Sequence, residues 1–205
     1  ANTDRDSYYG PGNDPLKAYG KTTDLTAMGG AQYVHTFDKC FFMPSDLTAG
    51  LEYNRDRLKD NMWGYDRHTD QTVNIYSAFL QNEWKNDRWG ILIGGRLDKH
   101  NMVDNVIFSP RANLRFNPTQ NINLRLSYSS GFRAPQAFDE DMHIENVGGT
   151  VAMIERAKNL KEEKSQSFSA SADMYHRFGV FQTNFLIEGF YTRLTDVFVL
   201  GEPYD

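Results

Sequence analysis

The chain has 205 residues, with 22 Lys and Arg against 27 Asp and Glu for a formal net charge of −5. That balance leaves no basic stripe for general nucleic-acid binding, and the single cysteine, Cys40, excludes an internal disulfide and a thiolate metal cluster. No run approaches the ~18 consecutive apolar residues of a membrane-spanning helix, and the mean hydropathy of −0.62 agrees. A membrane β-barrel stays open, because only every second residue of its strands faces lipid, and the aromatic fraction is high at 14%. The opening run Ala1-Asn2-Thr3-Asp4-Arg5-Asp6 has neither a charged n-region nor an apolar h-region, so no targeting peptide is expected within it.

Period-two alternation recurs along the chain and helical spacing is scarce, which predicts an all-β antiparallel meander. Ser7-Tyr8-Tyr9-Gly10-Pro11-Gly12-Asn13-Asp14-Pro15 gathers turn formers and aromatics and reads as an outer loop whose tyrosines could stack on a ligand. Gly10-Pro11-Gly12 is no phosphate loop, since no strand precedes it and no helix follows. A first strand is expected from about Asp24 to Phe37. Further alternations follow at Leu47, Ala49, Leu51, Tyr53, at Val73, Ile75, Phe79 and at Ile91, Ile93, Leu97. Next, Val106, Phe108, Ala112, Leu114 and Phe116 oppose Ser109, Arg111, Asn113 and Arg115. Pro110 cannot donate to a ladder, so a bulge or local break is expected there.

From Asn121 to Gly131 the pattern is clean, with Ile122, Leu124, Leu126 and Tyr128 alternating with Asn123, Arg125, Ser127 and Ser129. Phe168, Ala170, Ala172 and Met174 repeat it. So do Phe181, Phe185, Ile187 and Tyr191 against Gln182, Asn184 and Glu188, diluted by Leu186 and Phe190. A last strand is expected to begin near Val197.

The polar faces carry Glu52, Arg96, Arg111, Arg115, Arg125, Asp173 and Glu188 in mid-strand. A closed sandwich core would not bury so many ionisable groups unpaired, so this face meets water or a polar partner. The links near Lys39 to Ser45, at Asn86-Asp87-Arg88, at Asn117 to Gln120 and at Phe178-Gly179 are short. Those from Lys59 to Thr69, His100 to Asn105 and Phe132 to Lys164 are longer. A meander puts successive turns at opposite ends, so the short turns share one end. Phe37, Phe41, Phe42, Trp84, Trp89, Phe116, Phe178 and Phe181 lie beside them, as a membrane-interface girdle predicts. Aromatics closing the ends of a β-sandwich are the plainer alternative.

The run Ser127-Tyr128-Ser129-Ser130-Gly131-Phe132-Arg133-Ala134-Pro135-Gln136 resembles the signature at the end of a mid-barrel strand in TonB-dependent outer-membrane receptors. Gly95-Arg96-Leu97-Asp98 with Phe108-Ser109-Pro110-Arg111 resembles that family's adjacent hairpin, and Asn159-Leu160-Lys161-Glu162-Glu163-Lys164-Ser165 its entry into the next strand. Glu162 stands where the family usually has Pro. Phe138-Asp139-Glu140-Asp141-Met142-His143 is similar to receptors of the Bacteroidetes type. The likeness is best from Gly94 to Val197, and the earlier half agrees by pattern only.

The resemblance implies a transmembrane β-barrel of about 22 strands filled by an N-terminal plug, of which this chain supplies about eight or nine. It makes residues 1–205 a barrel fragment without its plug and implies a transporter, not an enzyme. It also implies the outer membrane of a Gram-negative bacterium as location. The implied partners are outer-membrane lipid, the TonB complex reached through a missing N-terminal region, and a small-molecule or metal-chelate ligand: a ferric siderophore, haem or cobalamin. No cofactor, nucleic acid or catalytic residue is implied. The alternative is a small self-contained β-barrel or β-domain with an adhesin or structural role at the cell surface.

The stretch 132–164 is the expected long extracellular loop and ligand-facing element. Its Asp139, Glu140, Asp141 and His143 suit a cation by donor type, but the spacing fits no defined calcium loop or zinc motif, and a solvated loop explains them more simply. His143-Ile144-Glu145 lacks the Pro-Cys-x-x-Cys partner of zinc deaminases, and no nucleophile elbow is present. Arg133 is expected to pair with acidic loop residues at the rim or to stand solvated. Arg96, Arg111, Arg115 and Arg125 are expected to face the lumen and pair with Glu52, Asp173 or Glu188, or with the plug, and some could meet an anionic ligand.

Overall fold

The computed structural model describes residues 1–8, 19–63, 67–136, 145–147, 150–152 and 160–199. Strand follows strand: β1 (Asn2–Tyr8), β2 (Tyr19–Cys40), β3 (Met43–Met62), β4 (Arg67–Lys85), β5 (Trp89–His100), β6 (Ile107–Thr119), β7 (Ile122–Arg133), β8 (Glu145–Val147), β9 (Thr150–Ala152), β10 (Glu163–Phe178) and β11 (Phe181–Thr195). Nine of them make one antiparallel sheet in the order β1-β2-β3-β4-β5-β6-β7-β10-β11, and β8 with β9 makes a separate two-stranded sheet between β7 and β10. The expected meander is therefore the observed fold.

Register divides every strand into two faces. One carries Glu52, Ser77, Asp98, Arg111, Ser129 and Ser167, each opposite another of its kind on the next strand. Met28 of β2 and Gly131 of β7 border the same cavity on this face, so the sheet curls toward it and it is concave. The convex face is apolar: Leu51, Leu80, Ile93, Leu126 and Phe185 are each more than half exposed. An exposed apolar sheet face is a liability in water and a requirement against lipid.

Aromatic pairs bound the convex band. Phe42 stacks on Trp84 at 5.7 Å and Trp89 on Phe116 at 4.2 Å beside the short turns. At the other end Tyr53 meets Tyr76 at 4.9 Å and Tyr128 meets Phe168 at 4.8 Å. Along β3 the band runs from Ser45, opposite Trp84, to Tyr53, opposite Tyr76. About eight residue steps of ~3.3 Å give ~26 Å along the strand, or roughly 20 Å once tilted by ~40°, close to the height of an outer-membrane apolar band.

Strands outrun that band at the long-loop end. β3 reaches Met62 and β4 starts at Arg67, so the link expected from Lys59 to Thr69 is mostly strand. The convex face there is polar, and the concave face interleaves buried Leu58, Met62 and Val73 with Asp56, Asp60 and Gln71, which breaks the alternation. What holds the extension is backbone pairing, burial of those three apolar side chains and a buried bond from Thr22 Oγ1 to Asp60 Oδ1 at 2.7 Å. β1 was not legible for the same reason: it pairs with the polar top of β2 and includes Ser7 and Tyr8, expected as loop. The remainder of that expected loop, 9–15, lies outside the described residues. Residues 197–199 are not strand, contrary to the start expected near Val197.

Pro110 acts on one side only. β6 passes through it unbroken, with Pro110 opposite Gly95, but its ladder with β7 begins at Arg111 opposite Ser129. Beyond Pro110 the two strands part, and Ser109 and Ser130 both border the concave cavity. The short turn after β10 needs Gly179, whose φ is +60°.

Gly94 marks a close strand approach. A Cβ there would lie 2.6 Å from Gln81 Cβ and 3.0 Å from the Leu80 carbonyl oxygen. Gly94→Val is expected to cost about 2 kcal/mol by forcing β4 from β5, read as a lower melting temperature of the intact protein in detergent. Gly29→Ala, where an added Cβ meets nothing within 4 Å, should leave it unchanged.

Candidate functional site

The concave wall holds the charged residues. Glu52, Ser77 and Asp98 stand in one row across β3, β4 and β5. Arg96, two residues before Asp98 and therefore on the same face, reaches up to all three. Its Nη1 donates to Glu52 Oε2 at 2.5 Å, its Nε to Asp98 Oδ1 at 2.8 Å and its Nη2 to Ser77 Oγ at 2.7 Å. Ser77 Oγ donates in turn to Asp98 Oδ1 at 2.6 Å. The Asp98 side chain is 3% exposed, whereas Arg96 and Glu52 are each 38% exposed. The row borders a cavity of about 360 Å³. One cation against two carboxylates leaves the row net negative and rigidly placed.

Beyond this row a latch closes the parting of β6 and β7. Phe132 packs on Val103, Ile107 and Ala134, which are buried. His100, at the end of β5 and one residue past the Tyr76 level, is fully buried. Its Nδ1 accepts the Met102 backbone N–H at 3.0 Å, which fixes the proton on Nε2, and Nε2 donates to Gln136 Oε1 at 3.1 Å. The run Phe132 to Gln136 thus ties β7 to the β5–β6 hairpin across the gap.

Burial holds the His100 imidazole below its ordinary range, against a smaller upward pull from Gln136 and Asp98. The unfolded chain therefore takes up the proton first as pH falls below about 6.5. The latch is at full strength above that pH and weakens as pH falls through it, because a protonated ring would turn an N–H toward the Met102 N–H. The melting temperature of the intact protein should fall more between about pH 7.5 and 5.5 than that of His100→Gln, whose amide keeps both bonds and does not titrate. Equal falls would contradict the latch.

The other arginines lie toward the short-turn end. Arg115 and Arg125 face each other directly on β6 and β7, an unfavourable placement for like charges. Arg115 Nη2 donates to the Asn86 carbonyl at 3.2 Å, and Arg125 Nε to Asn123 Oδ1 at 2.6 Å. Arg111 is exposed on the same face. Asp173 accepts from Tyr175 and Asn184 rather than from an arginine. Glu188 is exposed on β11, separated from Arg125 by Ser171. Among the expected lumen pairings, the structure forms Arg96 with Glu52.

Arg133 ends β7 opposite Glu163, with its guanidinium carbon 5.9 Å from the Phe198 ring centre. Asp139, Glu140, Asp141 and His143 lie outside the described residues, as does the whole Phe138–His143 run. Sequence reasoning missed Ser77, Asp98, His100 and Gln136 as site residues. Asp98 was within reach, since it shares parity with Arg96.

Family comparison agrees with this geometry. The family described as TonB dependent receptor-like, beta-barrel matches residues 1–204. The chain belongs to that family, whose members are receptors and not enzymes. No curated protein matches the chain. Among solved structures it is similar to the siderophore receptor PirA from Pseudomonas aeruginosa, at 16% identity and TM-score 0.62, covering 82% of this chain and 32% of that one. A mutant ferric enterobactin receptor, PfeA, from the same organism, in complex with enterobactin, gives 19% and 0.62, covering 85% and 29%. The alcaligin outer-membrane receptor FauA from Bordetella pertussis gives 14% and 0.51, covering 86% and 30%. The chain spans about a third of the length of these structures, and at such identities the likeness is one of fold.

Proposed function

We propose that this chain is part of the wall of a longer outer-membrane receptor that binds a ferric siderophore outside the cell and admits it with energy delivered by TonB. The single observation that carries this reading is the two-faced sheet. Its convex face is an apolar band of membrane height bounded by aromatic pairs, and its concave face carries an ion-paired row and a ladder of arginines. Such a wall needs lipid on one side and a polar filling on the other.

Family membership supports a transporter, and the ligands named for the similar structures favour a siderophore over haem or cobalamin. In this reading Arg96, Arg111, Arg115, Arg125 and Glu188 line the lumen. Arg115 and Arg125, forced together by register, gain most from carboxylates on a plug. The loop 132–164 captures ligand at the rim, with Arg133, Asp139, Glu140, Asp141 and His143 facing it.

The intact receptor, purified in detergent, should bind ferric siderophores saturably, and should bind haem and cobalamin no more than protein-free detergent micelles do. Saturable binding of haem or cobalamin alone would overturn the siderophore assignment.

A further inference from the structure

Past the upper aromatic level, the convex face of β3 changes character. Leu47, Ala49, Leu51 and Tyr53 give way to Arg55, Arg57 and Lys59 at the same two-residue spacing. Opposite them stand Ala27, Leu25 and Thr23 on β2 and Asn74, Thr72 and Asp70 on β4. Asp70 is the one carboxylate directly opposite them, and Asp4 of β1 lies one strand beyond Lys59, opposite Thr23. Asp70 takes both Arg57, with Nη2 at 3.3 Å, and Lys59 at 3.5 Å, and Arg57 chiefly holds its carboxyl below the usual range. Exposed Arg55 faces no carboxylate in register. The patch keeps a surplus of positive charge.

Directly below it, inside the aromatic-bounded band, the convex face sinks into a hollow of about 720 Å³. Ala31, Ala49, Ala78 and Gly95 form its floor between Tyr33 and Phe108. Register makes the floor: Leu51 stands between Ala31 and Ala78, and Leu80 between Ala49 and Gly95, so small and large residues alternate across four strands. A soluble partner would have to cross a headgroup layer to reach this hollow, whereas a lipid chain is already at that depth.

We propose that this surface binds a phosphate-bearing lipid of the outer leaflet, with phosphate held by Arg55 and Arg57 and an acyl chain seated in the hollow. The proposal rests on the outer-membrane reading given above. Guanidinium forks match phosphate oxygens bidentately, and cations at an anionic headgroup layer strengthen binding additively. The long-loop end of the strands assigns the patch to the outer leaflet.

The test uses the intact receptor in detergent, titrated with diphosphoryl lipid A and with the same lipid stripped of phosphate, and bound lipid is counted by native mass spectrometry. The wild type should retain the phosphorylated form about 30-fold better. Arg55→Ala with Arg57→Ala should bring the two forms to near parity, Ala78→Phe should weaken both, and Arg177→Ala, at the short-turn end, should change neither. Equal retention of both forms by the wild type, or undiminished preference in the double variant, would overturn the proposal. A receptor that fractionates with the outer membrane and takes up siderophore, yet ignores lipid phosphate, would remove the lipid site and leave the transporter reading standing.

Discussion

Arg96→Ala is expected to destabilise the intact receptor by about 2–3 kcal/mol, seen as a lower melting temperature in detergent. The loss comes mainly from Asp98. With a side chain 3% exposed, it would keep only Ser77 as a partner and would carry an uncompensated charge. Glu52 is 38% exposed, so water takes over much of its pairing and it contributes less than about 1 kcal/mol. A second substitution separates the two. Adding Asp98→Asn removes the stranded charge and should recover most of the loss, whereas adding Glu52→Gln should recover little. Recovery in the reverse order would place the strain at Glu52 instead.

Phe132→Ala is expected to open the gap between β6 and β7. The ring packs on Val103, Ile107 and Ala134, and truncating such a side chain costs about 2–3 kcal/mol where neighbours cannot collapse into the space. Above Pro110 no β6–β7 ladder compensates, so the effect is local. Amide hydrogen exchange should accelerate over 103–107 and 132–136 and stay slow in β2 to β4. Arg133→Ala, one residue on, should change the exchange far less, because its side chain stands on the opposite face of β7. Slowed ligand capture in Phe132→Ala but not in Gly94→Val would tie the latch to loop placement.

The sequence was most legible where lipid-like and polar surroundings alternate. Between Ser45 and Tyr53, or Ile122 and Tyr128, one face is apolar and the other polar, so parity alone identifies a strand. Where β3 and β4 rise past the band, one face is polar and the other interleaves Leu58, Met62 and Val73 with Asp56, Asp60 and Gln71, so the same test returns a loop. Pro110 announced an interruption, but which neighbouring strand would part from it depends on pairing that a single strand cannot reveal. In the site, parity placed Arg96 and Asp98 on one face, whereas Glu52 is 44 residues from Arg96 and Gln136 is 36 from His100. Those contacts follow from inter-strand register, set by turns and bulges rather than by local composition. The signature at Phe132 to Gln136 was recognisable as a motif, and the structure supplies its reason: it closes the seam that Pro110 opens.

The most direct test of the central claim is uptake of radiolabelled iron from a ferric siderophore by iron-starved Gram-negative cells expressing the intact receptor, with and without a functional TonB. Saturable uptake that needs both the receptor and TonB is the result this account predicts. Binding of siderophore to the cells without TonB-dependent entry, or uptake indifferent to the receptor, would contradict it.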